Sequence, residues 1–306
     1  MIELPFTLTI DYLILSADSD FITEKEKHFN EEVFCKLLSE LQEIKPAPTL
    51  KVYAHSTNFY EKISELANNA NINVIFYFYY NENLNNLPDK NNVNLIFALN
   101  TPELYEKINI HKNHAYNLIL EPSAGLDKYA KKELEKIKYD HTIKNLFLQP
   151  YLTEAEIDKY SKNILNRKFL TCAAAWLNPV IDSCGNIFCC KYNKIGNISK
   201  EKLLDVWNND IANSIRENII REKNLKQCSC CLKKYNDSFL IVDNAEIEYN
   251  GNKYVFPSEI NYVASAPKIA ITGQPTSPHV YLAEPYPVFS DEDITAPDKQ
   301  ILLLLG

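Results

Sequence analysis

Short apolar runs alternate with amphipathic stretches over the first half of the chain, and this alternation restricts the fold more than any other feature. Val74 and Phe76 share one face of a run with a period of two, which predicts a strand, whereas Val33, Leu37 and Leu41 recur at helical spacing. Strands that alternate with helices pair in parallel through right-handed crossovers. The sequence therefore predicts an α/β fold with a largely parallel sheet.

The pattern contains six strand-like runs. These are Thr7–Leu15, Thr49–Ala54, Ile72–Tyr80, Val93–Leu99, Tyr116–Leu120 and Asn145–Gln149. The predicted helices are Glu31–Glu43, Tyr60–Ala70, Pro102–Ile108, Lys128–Lys138 and Thr153–Ile164. Six β/α units fit either a partial β/α barrel or a doubly wound sheet, and the periodicity alone leaves both open.

Composition narrows the class of partner. The chain has 306 residues, of which 46% are apolar and 24% charged, and its formal net charge is −8. A negative balance argues against a nucleic-acid partner, because a phosphate backbone attracts basic proteins. No run approaches the ~20 apolar residues of a membrane span, and the first residues lack the basic region of a signal peptide. We expect a globular cytoplasmic protein without a membrane partner.

The cysteines are strongly clustered. Seven of the eight lie between Cys172 and Cys231, and the eighth is Cys35. In a reducing compartment, clustered thiols are more often metal ligands than disulfides. Thiolates bind both zinc and iron–sulfur clusters, so the window predicts a metal or iron–sulfur site without deciding between them.

Two local patterns lie inside this window. The segment Pro179–Cys190 reads as a hairpin with its turn near Asp182–Asn186, and a hairpin can deliver a thiolate from its end. A helix-like run follows from Leu203 to about Glu222. The two-residue gap between Cys228 and Cys231 lets both sulfurs face one metal.

The order of these residues resembles a known domain. Cys172, Gly185 and Cys190 are followed by Gly196-Asn197-Ile198, by Leu204 with Val206-Trp207-Asn208, and by the pair Cys228 and Cys231. This order is similar to the SPASM or twitch auxiliary-cluster domain that follows the barrel of many radical SAM enzymes, and it covers about residues 170–235.

The resemblance implies a ligand set and a cofactor. By position in the domain, Cys172, Cys190, Cys228 and Cys231 are expected to hold one [4Fe–4S] cluster. Cys184, Cys189 and Cys230 are the alternatives for any one of them. No cysteine follows Cys231, so a second auxiliary cluster is not expected.

The chain departs from radical SAM enzymes upstream of this domain. Those enzymes carry a CxxxCxxC loop after the first barrel strand, but the stretch from Thr9 to Asp20 contains no cysteine. Their GGE-type segment after the second strand would fall near Ala54–Thr57, where there is no glycine. The resemblance therefore implies a degenerate radical SAM protein with a six-unit partial barrel, and S-adenosylmethionine is not expected as a cofactor.

We predict three regions: a β/α partial barrel at 1–165, a small Cys-rich α+β SPASM-like domain at 166–236 and a β-rich, proline-rich tail at 237–306. In the tail, Asn250-Gly251 matches a two-residue hairpin turn between Ala245 and Phe256. Seven of the fifteen prolines fall in the last fifty residues, which disfavours long helices there. We expect the tail to lie on the main body or to contact a partner.

Three functions remain open at this point. One is an accessory iron–sulfur protein that transfers electrons or anchors substrate in the maturation of a peptide or metabolite, with a peptide or protein substrate or a partner enzyme. The second is a zinc-stapled binding scaffold, and the third is a transferase-like enzyme with a structural metal. No catalytic residue is assigned. Glu121 ends the fifth strand, where barrel enzymes place functional groups, but a solvated loop carboxylate is the alternative.

Overall fold

The computed structural model describes residues 8–14, 29–149, 152, 154–165, 174–189 and 193–222, with gaps at 85, 124, 127, 144 and 163. Only the backbone is described at 2–3, 138, 154, 171–172, 220–222, 240–241, 245–249, 252–256 and 286–287. The strands are β1 Ile2–Glu3, β2 Thr9–Ile14, β3 Ile44–Lys45, β4 Thr49–Ala54, β5 Val74–Tyr79, β6 Val93–Ala98, β7 Asn117–Glu121, β8 Leu146–Leu148, β9 Thr171–Cys172, β10 Val180–Asp182, β11 Asn186–Cys189, β12 Asn193–Asn197, β13 Leu240–Ile241, β14 Ala245–Tyr249, β15 Asn252–Phe256 and β16 Tyr286–Pro287. The helices are α1 Glu31–Gln42, α2 Tyr60–Asn69, α3 Leu104–His111, α4 Lys128–Tyr139, α5 Glu154–Ser161, α6 Ala174–Leu177, α7 Leu203–Trp207 and α8 Asp210–Glu222.

The main sheet has ten strands in the order β12-β11-β10-β2-β4-β5-β6-β7-β8-β16. The run from β2 to β8 in this order is parallel throughout. These six strands are the six predicted runs, and α1 to α5 fall where the helical periodicity placed them. The predicted α/β class with a mostly parallel sheet is confirmed.

One face of this sheet packs against the helices. Ile10, Tyr12 and Ile14 alternate along β2 into the main core, where the Tyr12 ring lies 5.1 Å from that of Phe34 on α1. Helix α1 begins after Asn30, whose side chain accepts a hydrogen bond from the backbone N–H of Val33. Strict alternation sends the intervening residues of each strand to the opposite face.

The hairpin of the cysteine-rich window continues the same sheet. Strand β10 pairs in parallel with β2, and β11 and β12 follow in antiparallel pairing. The backbone N–H of Asp11 donates to the carbonyl of Pro179 at 3.0 Å, and the Asn178 amide donates to the carbonyl of Thr9 at 2.7 Å. The hairpin is thus hydrogen-bonded directly to the first strand of the β/α domain.

The helical run from Leu203 to Glu222 differs from its prediction, because the structure divides it into α7 and α8. The helix is interrupted at Asn209. Its side-chain oxygen accepts a hydrogen bond from the backbone N–H of Ala212 at 2.9 Å and so caps the start of α8. The Asn208 side chain donates to the carbonyl of Leu204 at the end of α7. Two successive asparagines therefore make a cap where apolar spacing alone suggested one helix.

The tail contributes three short backbone segments to the described structure, besides β13. Strands β14 and β15 form the predicted hairpin, with Ala245 opposite Phe256. Strand β16 pairs antiparallel with β8 at the edge of the main sheet. The remainder of the predicted tail region lies outside the described residues. Within the part of the chain that is described, no helix combines the length and apolar character of a membrane span.

Candidate functional site

The four predicted ligands fall largely outside the described residues. Cys172 is placed only by its backbone, in β9, while Cys190, Cys228 and Cys231 lie outside, as does the alternative Cys230. The assignment of these ligands therefore remains a prediction. Among the side chains that the structure does describe, no three His, Cys, Asp or Glu residues are grouped as a metal site.

The hairpin turn is built on one carboxylate. Asp182 accepts hydrogen bonds from the backbone N–H groups of Cys184 at 3.0 Å and Asn186 at 2.8 Å, and from the Asn186 side-chain amide at 2.8 Å. Gly185 has a φ of 79°, a backbone conformation that residues other than glycine rarely adopt. These interactions fix the turn that leads into β11 and on toward Cys190.

The Gly196-Asn197-Ile198 segment reinforces this turn from the neighbouring strand. The Asn197 amide donates to the carbonyl of Cys184 and to the side-chain oxygen of Asn186, both at 3.0 Å. The backbone N–H of Ile198 donates to the carbonyl of Gly185 at 2.8 Å. A Cβ added at Gly185 would lie 3.0 Å from the Ile198 side chain. Gly185, Asn197 and Ile198, which are separate parts of the sequence pattern, are therefore hydrogen-bonded around one turn.

Cys189 points into the core of this region. It is fully buried, and its Sγ lies 3.6 Å from the carbonyl oxygen of Ala175. Ala175 belongs to α6, which begins two residues after Cys172. The contact therefore brings the segment that follows Cys172 against the strand that precedes Cys190.

A buried arginine joins the helices of the same region. Arg216 of α8 is 4% exposed, and its Nε donates to the carbonyl of Ala175 at 2.9 Å. Its guanidinium carbon lies 4.9 Å from the centre of the Trp207 ring. The Trp207 indole N–H donates in turn to the carbonyl of Trp176 at 3.2 Å. Helices α6, α7 and α8 are thereby linked through two carbonyls of α6.

Cys184 lies at the junction between the hairpin and β2. It is half-buried in the turn, close enough to Tyr12 to act on it electrostatically. Burial, and then Asp182 and Cys184, raise the pKa of the Tyr12 hydroxyl well above its usual value. Within the described residues, this hydroxyl has no hydrogen-bond partner.

Two buried charged residues, Asp11 and Lys51, were not identified from the sequence. Asp11 and Lys51 are single charged residues inside otherwise apolar strands, and they lie opposite each other in the register of β2 and β4. Both are buried, with 5% and 4% exposure. A charged residue within an otherwise apolar strand was the sequence signal that could have identified them, because burying a charge is costly. Glu121 is half-buried at the end of β7.

Comparison with known proteins locates a family domain in the cysteine-rich region. Residues 172–232 match the SPASM family model, which is described as an iron–sulfur cluster-binding domain. The residue order of this region predicted such a match. A search among curated proteins found no match.

Several solved structures are similar to this chain over much of its length. The histidine-tagged form of anSMEcpe with bound AdoMet is 12% identical, with a TM-score of 0.48, and the match covers 74% of this chain and 85% of that one. SuiB of Streptococcus suis bound to S-adenosylmethionine is 12% identical, with a TM-score of 0.48 and coverage of 76% and 70%. Native anSMEcpe with bound AdoMet and Kp18Cys peptide is 11% identical, with a TM-score of 0.45 and coverage of 73% and 88%.

Proposed function

We propose that this chain, which carries a SPASM iron–sulfur domain at 172–232, holds one [4Fe–4S] cluster through Cys172, Cys190, Cys228 and Cys231. Its role would be that of an accessory protein that transfers electrons or anchors substrate in peptide or metabolite maturation. The contact between Cys189 Sγ and the Ala175 carbonyl carries the proposal, because it joins the segments next to two of the four cysteines.

The surrounding elements fit such a ligand set. Cys189 occupies the core face of β11, and successive residues of a strand face opposite sides, which supports Cys190 as the ligand in preference to Cys189. Helix α8 packs against β9 and α6 and precedes the segment that contains Cys228 and Cys231. Elements that adjoin Cys172 and Cys190 in the chain, and the helix that precedes Cys228, therefore belong to one small core. Thiolates suit either iron–sulfur clusters or zinc, and the family description favours the former.

A cluster with four protein thiolates supplies one-electron transfer or structural support, and leaves no iron open for a substrate. An open iron for S-adenosylmethionine would need three further cysteines near the first strand. After β2, residues 15–28 include no cysteine, and Cys35 is the only one before Cys172. Cys35 is exposed on α1. We therefore expect no cleavage of S-adenosylmethionine by this chain.

The proposal also includes a class of partner and the bounds of three regions of the chain. The resemblance of the SPASM domain to those of enzymes that act on ribosomally made peptides supports a peptide or protein substrate, or a maturation enzyme as partner. We retain 1–165, 166–236 and 237–306 as the three regions, and a cytoplasmic location as the compartment that keeps the thiols reduced.

An anaerobic spectroscopic experiment tests this function. The protein, purified without oxygen and reduced with dithionite, should show the electron paramagnetic resonance signal of a reduced [4Fe–4S] cluster. Added S-adenosylmethionine should leave the signal unchanged and yield no 5′-deoxyadenosine. A shifted signal together with 5′-deoxyadenosine would show an open iron and overturn the accessory role.

A further inference from the structure

The two ends of the main sheet are closed in different ways. At the β12 end, two successive residues of β11 pair with Gly196 and Lys194, so Ile195 between them is an extra residue and forms a bulge. The Asn209 side-chain amide donates to the Ile195 carbonyl at 2.9 Å. A bulge and an occupied carbonyl both hinder the pairing of a further strand at this end.

The other end, at β8, has neither feature in its own strand. Its three residues, Leu146–Leu148, are all apolar and carry no charge, and they pair with β7 in an unbroken parallel register. The unpaired backbone groups of such a strand are a template for another strand. An uncovered β8 would therefore accept a strand from another chain.

Alternate residues of β8 direct their backbone groups to opposite sides. The carbonyl of Asn145 and the backbone N–H of Gln149 bond to β7, at 2.8 and 2.9 Å. Because backbone groups alternate along a strand, those of Phe147 are also directed at β7, whereas those of Leu148 are directed away from it. Leu148 thus presents one N–H and one carbonyl to the outer side of the sheet.

Strand β16 meets this outer side through Tyr286. Tyr286 lies opposite Leu148, where the two residues can exchange both N–H···O hydrogen bonds. Pro287 lies opposite Phe147, whose backbone groups are already directed at β7. The N–H that proline lacks is therefore not needed at this position. The register places a residue with a donor where one is required and a proline where none is.

The sequence around Tyr286 also ends the sheet. Pro285 and Pro287 flank it, so Tyr286 has the only backbone N–H among these three residues. Since Tyr286 directs its backbone groups at β8, Pro287 directs its own to the opposite side, where it offers a carbonyl but no donor. A further strand on that side would find no N–H to pair with at Pro287, which is why proline is confined to edge strands.

We infer that Pro285-Tyr286-Pro287 is an edge cap: Tyr286 occupies the strand-accepting edge of β8, and the prolines prevent a further strand from pairing there. The edge of β8 is accordingly a strand-docking surface, and its occupant is a segment of this same chain. Without the cap, β8 pairs with β8 of a second copy, because identical edge strands are self-complementary in antiparallel pairing about a two-fold axis.

Hydrogen exchange on the full chain tests whether Tyr286 occupies the edge. Tyr286→Pro removes the one N–H of the edge cap, whereas Tyr286→Val changes the side chain and keeps the N–H. We expect the Leu148 amide, resolved by mass spectrometry, to exchange about tenfold faster in Tyr286→Pro than in the wild type, because the hydrogen bonds to Tyr286 are lost. Tyr286→Val should exchange at the wild-type rate.

Light scattering over a range of protein concentrations tests the protective role. Tyr286→Pro should self-associate as the concentration rises, and Tyr286→Val should behave as the wild type. The double variant Pro285→Val/Pro287→Val gives an independent result if Tyr286→Pro fails to fold. It keeps Tyr286 on β8 and adds backbone donors beside it, so it should self-associate while the Leu148 amide exchanges at the wild-type rate.

Circular dichroism shows whether the variants are folded before these results are compared. An unchanged Leu148 exchange rate in folded Tyr286→Pro would overturn the inference, because the edge would then be closed by something other than Tyr286. Self-association no greater than that of the wild type, in both Tyr286→Pro and the double variant, would also overturn it.

Discussion

Gly196 lies directly against Val206: a Cβ added at Gly196 would come within 2.5 Å of the Val206 Cγ1. This contact seats strand β12 on helix α7 with no room for a side chain between them. The two residues belong to separate parts of the sequence pattern, and the structure shows that they form a single close approach. Their pairing explains why a valine one turn into the helix accompanies a glycine in the strand.

Gly196→Ala should lower the free energy of unfolding by about 1–3 kcal/mol, because the added methyl group overpacks a close contact. Urea denaturation measures the change. The double variant Gly196→Ala/Val206→Ala should be less destabilised than the sum of the two single variants, since the second substitution provides the missing space. Strict additivity would show that the steric contact does not limit stability.

Asp182→Ala should destabilise the fold by about 2–4 kcal/mol, because three donors of the hairpin turn lose one buried acceptor. Asp182→Asn keeps one side-chain oxygen for the backbone N–H groups and should have an intermediate effect. Thermal unfolding of the two variants beside the wild type gives the ranking. Equal stability of Asp182→Ala and the wild type would mean that the turn holds without its carboxylate.

Arg216→Met should reduce the free energy of unfolding by about 2–3 kcal/mol, because the buried Ala175 carbonyl loses a charged donor and Trp207 loses its cation–π contact. Lys200→Met, at an exposed position, removes one positive charge elsewhere and serves as the control. Comparable losses in the two variants, measured by denaturation, would assign the effect to net charge and not to the buried contacts.

The Glu40 carboxylate should make the fold less stable as pH rises. Glu40 accepts a hydrogen bond from the backbone N–H of Leu203, which joins α1 to α7, but burial dominates and raises its pKa. A raised folded pKa means that the folded chain binds more protons than the unfolded chain, so stability is lost between the ordinary pKa and the raised value.

Glu40→Gln should remove this dependence. Relative to the variant, the wild type should lose stability as pH rises above the ordinary glutamate pKa of about 4.3 and through the raised value. Glu65→Gln, on the exposed side of α2, should follow the wild-type profile. Denaturation curves at several pH values provide the comparison, and a wild type that gains stability over this range relative to Glu40→Gln would show that the Leu203 hydrogen bond prevails.

The strands of the β/α domain could be predicted because their pattern is local. Thr49–Ala54 has the predicted bounds, since alternation and flanking turns both lie within the segment. The pairing of β10 with β2 could not be predicted, because the Asn178–Thr9 hydrogen bond joins residues 169 positions apart. No local pattern reports such a contact.

The same distinction between local patterns and long-range contacts applies to the candidate sites. The residue order was sufficient to predict the match of residues 172–232 to the SPASM model, because Gly185, Gly196 and Asn197 lie in close contacts with little tolerance for other residues. The position of Asp11 opposite Lys51 required the sheet register, because β2 and β4 are separated in the chain by α1 and β3. Sequence periodicity specifies a face for each strand but not which strands are neighbours.

Metal analysis of the anaerobically purified protein tests the central claim most directly. Iron, acid-labile sulfide and zinc should be measured per chain in the wild type, in Cys190→Ala and in Cys35→Ala, the last being an exposed thiol on α1. We predict about four irons and four sulfides, lost in Cys190→Ala and kept in Cys35→Ala. One zinc per chain without sulfide would contradict the iron–sulfur assignment.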